Sequence, residues 1–362
     1  MSERRRVVLV EGTAKYRIAV AVVALVVLAI AIAIPYVMPP FRVFQFTEVL
    51  MIAIAVLGLN LLTGYNGQIS LGHSAFFALG AYTTTVLIID HGWNYVLTLP
   101  LAFAVAFAAG FLVGIPALRL HGLYLALVTL SLAIVTPPLI KRFEGVTGGA
   151  MGRSVPKPGA PGWTGLAQDQ WHYFVVLAIT AVMVLIARNL VSGRIGRALR
   201  AVRDDGLAAE TMGVDLAIFK TLTFAYSAGF AGVAGGIFAF VVGFVSPESF
   251  TLVLAIGFLS AMVVGGLSSI SGAVFGSLFY VFVPVYAADV NDALSGVIYG
   301  VALIVVMFLM PAGVVGVLRR VRGLVVDVRK PGAHGPTVAP PVVGRDLSEA
   351  AGVPATSSSA EL

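Results

Sequence analysis

The chain has 362 residues, of which 59% are hydrophobic and only 11% are charged, with a formal net charge of +6. A water-soluble domain carries about 25% charged residues, so this one cannot coat a water-facing surface and is expected to lie against lipid. Its lack of cysteine excludes disulfides, thiolate metal sites and cysteine nucleophiles. The positive charge sits beside apolar runs, where it reports orientation in a membrane and not a nucleic-acid ligand.

A membrane-spanning helix needs about 20 consecutive apolar residues. Segments of that kind recur near 18–38, 46–63, 73–90, 97–116, 122–140, 173–191, 221–243, 251–267, 273–288 and 294–311. The expected fold is therefore an all-α polytopic membrane protein of about ten transmembrane helices. The first segment follows Arg4, Arg5, Arg6, Lys15 and Arg17 as a signal peptide would. Its apolar run is too long for one, and Pro35–Pro40 supplies no small-residue cleavage site, so an uncleaved first span is expected.

Cytoplasmic loops carry an excess of Lys and Arg. With the N-terminus inside, only Arg42, Lys141, Arg142, Arg153 and Lys157 of the 23 Lys and Arg fall outside. The pattern predicts both termini in the cytoplasm and an even number of spans. The chain then divides into a basic N-terminus (1–17), a transmembrane region (18–315) with an external loop at 141–172 and a cytoplasmic loop at 192–220, and a cytoplasmic tail (316–362). From about 331 that tail is rich in Pro, Gly, Ala and Ser without an apolar period, and it is expected to be disordered.

In chain order, the first polar constellation is LNLLTGYNGQISLGHSAFFALGAY at 59–82. Asn60, Tyr65, Gln68, Ser70 and His73 stand among Gly64, Gly67 and Gly72. Polar groups and a broken helix at membrane depth are tolerated inside protein or along a wet cavity, and such breaks often frame solute sites. The competing reading, favoured by the orientation, is a short cytoplasmic connection with His73 capping the next helix. His73 has no second ligand at metal spacing. In RLHGLYLALVTLSLA, from 119, Tyr124 and Thr129 are candidate path residues, though single hydroxyls in spans more often bond their own backbone or a neighbouring helix.

The loop at 192–220 carries Arg197, Arg200 and Arg203 at three-residue spacing, then Asp204 and Asp205, with Ala208, Ala209 and Met212 as a small apolar face and Gly213 as a helix stop. It reads as a short amphipathic helix that docks into a groove on a soluble partner, or equally as a loop that merely obeys the charge rule. Further on, Ala228, Gly232 and Gly236 repeat every four residues, a helix-packing signal. GGLSSISGAVFG at 265–276 reads similarly, and its glycine pair is also able to open a helix midway.

Buried carboxylates are scarce: Asp90, Asp289, Asp292 and Glu248 fall at outer ends, and Glu48 alone makes a poor proton relay. No GxxxxGK[ST], HExxH or GxSxG occurs, so P-loop nucleotide binding and these hydrolase constellations have no basis here. A self-sufficient channel or secondary carrier remains the alternative of another class.

NLLTGYNGQISLGHSAFFALGAYT, ALRLHGLYLALVTLSLA, VTGGAMG, SGRIGRALRAVRDDGLAAETMGV and GGLSSISGAVFGSL occur in this order. Together they resemble the branched-chain amino-acid ABC transporter permeases of the LivM type, over about 45–315. The resemblance implies an ABC importer permease fold and a non-catalytic transport subunit in the cell membrane that binds no cofactor of its own. It also implies several partners: a LivH-like second permease, two ATP-binding subunits that carry ATP and Mg from the cytoplasm, an extracytoplasmic solute-binding protein, and the membrane lipid around the chain itself. Ala208, Ala209 and Gly213 match the loop that docks on the ATP-binding subunit; Leu207 stands where the wider importer signature often has Glu. Urea and short-chain amide permeases share nearly all these motifs and are the alternative substrate reading.

Overall fold

A computed structural model describes residues 7–10, 14–120 and 122–329. Arg4, Arg5 and Arg6 and the tail from 330 onward lie outside the described residues. After a short strand β1 (Val7–Val10), the helices run α1 (Ala14–Val37), α2 (Pro40–Leu59), α3 (His73–Ile89), α4 (Tyr95–Ala117), α5 (Leu123–Arg142) and the single turn α6 (Glu144–Thr147). Strand β2 (Arg153–Ser154) precedes α7 (Gln168–Ser192), α8 (Arg194–Asp204), α9 (Gly206–Thr211) and α10 (Leu216–Val242). Strand β3 (Phe244–Val245), α11 (Leu252–Gly265), α12 (Ile270–Val290), α13 (Ser295–Leu309), α14 (Gly313–Val325) and β4 (Val326–Arg329) complete the chain.

Each of the ten apolar segments coincides with a helix. Seven helices among the described residues are long and apolar enough to cross a membrane, and three shorter apolar ones lie at Leu25–Val37, His73–Ile89 and Leu252–Gly265. The first is the apolar part of α1, which itself runs from Ala14 to Val37, and the other two are short for a local cause. The chain before α3 passes through Gly67 and Gly72, and α11 stops at Gly265, where the backbone turns through Gly266 (φ +117°) before Ser269 caps α12 by accepting from the Gly272 N–H at 3.3 Å. The glycine pair at 265–266 thus ends one helix and lets the next begin.

The core is built on α2 and α10, both buried along most of their length. Pro40 opens α2 at a position where its missing N–H costs nothing. Asp215 caps α10 by accepting from the Ile218 N–H at 3.0 Å. Helix α10 lies between α3 and α4, and α2 packs on α7, α10 and α12. Ala228, Gly232 and Gly236 form the stripe of α10 that meets α3 and α4. A Cβ at Gly232 would stand 2.7 Å from the Ala102 carbonyl, and one at Gly236 would stand 2.7 Å from Thr84 Oγ1. Small residues are needed there because backbone meets backbone.

Around this core, α1, α5 and α13 present apolar surface outward. Leu25, Leu123, Ile304 and Phe308 are exposed, which is stable where the surroundings are lipid or another apolar protein face. The amphipathic α14 starts against the 266 turn, where Gly313 meets Gly266. Strands β1 and β4 pair in parallel, Val7 with Val326 through Val10 with Arg329, which puts both ends of the described chain on one side of the bundle.

Candidate functional site

The loop at 192–220 folds as two helices, not one. Asp205 breaks the run with extended backbone and caps α9 by accepting from the Ala208 N–H at 3.1 Å. Gly213 follows α9 at φ +83°, the left-handed stop that its position predicts. The apolar face differs from the expectation of Ala208, Ala209 and Met212. Ala209 is buried against the bundle, while Leu207 and Met212 are 77% and 85% exposed. Two large apolar side chains exposed on a loop that also carries Arg197 are a surface of the kind that marks a partner contact. Helix α8 turns Gly196, Leu199 and Val202 inward, so Arg197 faces solvent and Arg200 is half-buried.

Arg203 behaves differently from the other two arginines. Its Nη1 donates to the Gly64 carbonyl at 3.0 Å and to Ser268 Oγ at 2.9 Å. Nε and Nη2 donate to Asp204 Oδ1 at 2.9 and 2.8 Å. The Gly64 carbonyl is free because α2 ends in a π-helical turn, Asn60–Tyr65, whose last carbonyls lack partners within the helix. A cation at this C-terminal end also meets the negative pole of the helix. Gly67 (φ +76°) leaves room for the stem of Arg203, and a Cβ there would stand 2.8 Å from Arg203 Cγ.

Asn60 sits in the same cluster. Its Oδ1 accepts from the Ser268 N–H at 2.9 Å and its Nδ2 donates to the Ser269 carbonyl at 2.8 Å. Ser268, with φ +55°, also donates from Oγ to the Gly64 carbonyl at 2.6 Å. Both functions of the Asn60 amide are therefore spent on a turn more than 200 residues away in sequence.

The remaining polar residues of the 59–74 stretch are buried. They pack around the beginning of α3, where Gly72 is the N-cap and His73 does not cap the helix, since its ring is turned to Ser227. Thr129 Oγ1 accepts from the Leu71 N–H at 2.9 Å and donates to the Leu125 carbonyl at 3.0 Å, which ties the loop to α5. Ser70 Oγ accepts from the Gly72 N–H at 3.3 Å. His73 Nε2 lies 2.8 Å from Ser227 Oγ, and Ser227 donates to the Gly58 carbonyl at 2.6 Å. The single serine proton is used on Gly58, so Nε2 of His73 is the donor to Ser227. His73 Nδ1, Ser74 Oγ, the Asn66 amide and Gln68 Oε1 have no protein partner. Tyr65 is buried in the apolar core.

Tyr124 is separate from this group and 72% exposed on α5. Between α3, α4 and α5 lies an apolar groove of about 620 Å³, lined among others by Phe76, Tyr82, Leu101, Leu132 and Thr136. None of the candidate path residues lines it. Tyr82, which does, closes the 59–82 motif without standing out as a path residue, and Thr136, which also does, lies in an apolar run just past the next motif. Among the described residues, no three His, Asp or Glu side chains gather as a metal would need.

At the opposite end of the bundle, the 141–172 loop is clipped in place. Strand β2 pairs antiparallel with β3, Arg153 with Val245. Arg153 grips Asp90 with both terminal nitrogens and donates to the Val146 carbonyl at 2.9 Å. That guanidinium holds the Asp90 carboxyl below the usual carboxylate range. Lys141 pairs with Glu248 at 2.7 Å, which lowers the Glu248 carboxyl likewise. Both carboxylates are legible as helix-end residues in the sequence; their partners are not.

The profile of a family described as branched-chain amino acid transport system / permease component matches residues 41–307. The chain is 33% identical to the high-affinity branched-chain amino acid transport system permease protein LivM of Salmonella typhimurium, over 81% of this chain and 74% of that one. It is 34% identical to LivM of Escherichia coli K12, over 82% and 75%, and 25% identical to LivH of the same strain, over 73% and 91%. No solved structure matches.

Proposed function

Because the chain belongs to the branched-chain amino acid transport permease family, we infer that it is one of two permease subunits in an ATP-driven importer and forms half of the path for branched-chain amino acids. It is a multi-pass membrane protein and a transport subunit, not an enzyme. Relatives of both the LivM and LivH kinds indicate a two-permease system, with a LivH-like chain as the second half. The ATP-binding subunits, with their ATP and Mg, and an extracytoplasmic binding protein complete the assembly we propose.

In this reading ten helices cross the membrane and both termini are cytoplasmic. The Lys and Arg distribution supports that orientation, and so does the parallel pairing of β1 with β4. The ATP-binding subunit docks on α8 and α9 through Arg197, Arg200, Leu207, Ala208 and Met212, with Ala209 and Gly213 shaping the turn and Arg203 in the same loop. The observation that carries this docking reading is the exposure of Leu207 and Met212 on a loop that also carries Arg197 and Arg200. The path runs along α5, where Tyr124 is exposed and the groove beside α3 opens. Asn60, Tyr65, Gln68, Ser70, His73 and Thr129 do not line that groove and, in this reading, hold in place the helices around the path.

Uptake by proteoliposomes holding the complete system tests the substrate. Labelled leucine is expected to accumulate with ATP and to be displaced by isoleucine or valine. Accumulation of urea or acetamide in place of leucine would overturn the branched-chain assignment and leave the permease role standing.

A further inference from the structure

We propose that Arg203 is the strut that carries motion of the docking helices into the membrane, and is not itself a docking contact. The inference rests on the reading of α8 and α9 as the docking site and assigns one residue of that site a different task.

The argument begins with how α8 is held. Its inward face offers only Gly196, Leu199 and Val202. Apolar contact is non-directional, so such a face permits a helix to slide or roll when pulled. A guanidinium is different, because its donors are fixed in a planar fork. The Arg203 fork is itself held by Asp204 Oδ1 through Nε and Nη2, which leaves Nη1 aimed at the Gly64 carbonyl and Ser268 Oγ. Its reach ends on two elements at once. Gly64 belongs to the terminal turn of α2, and Ser268 precedes the residue that caps α12.

Those two elements are already joined to each other. Asn60 binds the backbone of Ser268 and Ser269, and Ser268 Oγ binds Gly64. A displacement of α8 is therefore delivered to the ends of α2 and α12 together, and to the start of α14 through the Gly266–Gly313 contact. Ser268 holds a left-handed backbone that non-glycine residues rarely adopt. Such conformations persist where surrounding bonds over-determine them and are common at switch segments. Arg197 and Arg200 have no hydrogen bond of this kind to the bundle among the described residues.

The test uses the complete complex in proteoliposomes, with capture of the ATP-binding subunits, ATP hydrolysis and leucine uptake measured on one preparation. For Arg203→Gln, capture and hydrolysis are expected to persist while leucine moved per ATP falls on the order of tenfold, within the usual range of coupling energies. Ser268→Ala removes one hydroxyl, serves as the second variant should Arg203→Gln fail to accumulate, and is expected to show the same split at smaller size. Arg203→Lys is expected to recover part of the ratio. Parallel loss of capture and hydrolysis would make Arg203 a docking contact, and an unchanged ratio in both variants would remove the strut; either overturns the proposal. Leu207→Asp, in the same assay, separates the two readings: if it too leaves capture intact, the docking site is wrong independently of Arg203.

Discussion

His73 Nε2 and Ser227 Oγ meet at 2.8 Å in the buried middle of the bundle, 154 residues apart in sequence. The serine donates its hydroxyl hydrogen bond to the Gly58 carbonyl, so one hydroxyl joins α3, α10 and α2. No solvent is available there to replace it.

Ser227→Ala leaves the His73 N–H and the Gly58 carbonyl without this partner. A loss of about 1–3 kcal/mol is expected from stranding buried polar groups, read as a lower thermal unfolding temperature in detergent. His73→Phe combined with Ser227→Ala is expected to cost less than the sum of the two single changes, because no imidazole is then left stranded. Additive losses would mean the pair does not interact.

Gly232→Ala tests the α10 crossing. The added methyl would meet the Ala102 carbonyl at 2.7 Å, and overpacking of this kind typically costs about 1–3 kcal/mol. Reduced accumulation of folded protein and a lower unfolding temperature are expected. Gly296, which has open space around it, is the control position where alanine is expected to be tolerated.

Asp90 and Arg153 predict a pH profile. The folded carboxyl is held below its ordinary value, so its contribution to the clip on the 141–172 loop is fully present above about pH 4, the unfolded value for Asp, and is lost as pH falls through the lower folded value. Limited proteolysis within 156–167 is therefore expected to be flat from pH 5 to pH 8, on the order of a normal assay range. Asp90→Asn is expected to raise cleavage throughout that range. A rise in cleavage of the unaltered protein near neutral pH would contradict the clip.

Leu207→Asp and Met212→Asp place charge on the proposed docking surface without disturbing the core, since both side chains are largely exposed. Capture of the ATP-binding subunit in pull-down is expected to fall by about tenfold or more, as for central interface anchors. The uncomplexed chain is expected to keep its unfolding temperature.

The helical plan was legible because it rests on local signals. Long apolar runs find helices, and the Lys and Arg bias predicts a direction for them. The split between α8 and α9 was less so, since it depends on Asp205 choosing extended backbone to cap Ala208. The bonding of Arg203 was hidden altogether: three arginines at equal spacing look alike until Leu199 and Val202 set which side of α8 faces inward. Likewise Asn60 reads as an unattached polar group in a span until Ser268 and Ser269 arrive from the other end of the chain. Such pairings depend on tertiary packing, which local periodicity does not encode. The groove between α3, α4 and α5 is a gap between helices, a property that no single segment carries.

The central claim is that this chain moves its solute only when partner subunits hydrolyse ATP. The direct measurement is uptake of labelled leucine by proteoliposomes that hold this chain with its second permease, compared with the same vesicles carrying the ATP-binding subunits, binding protein and ATP. Accumulation is predicted in the complete set alone, together with ATP hydrolysis. Concentrative uptake by the permease pair without nucleotide would contradict the account and make the chain a self-sufficient carrier.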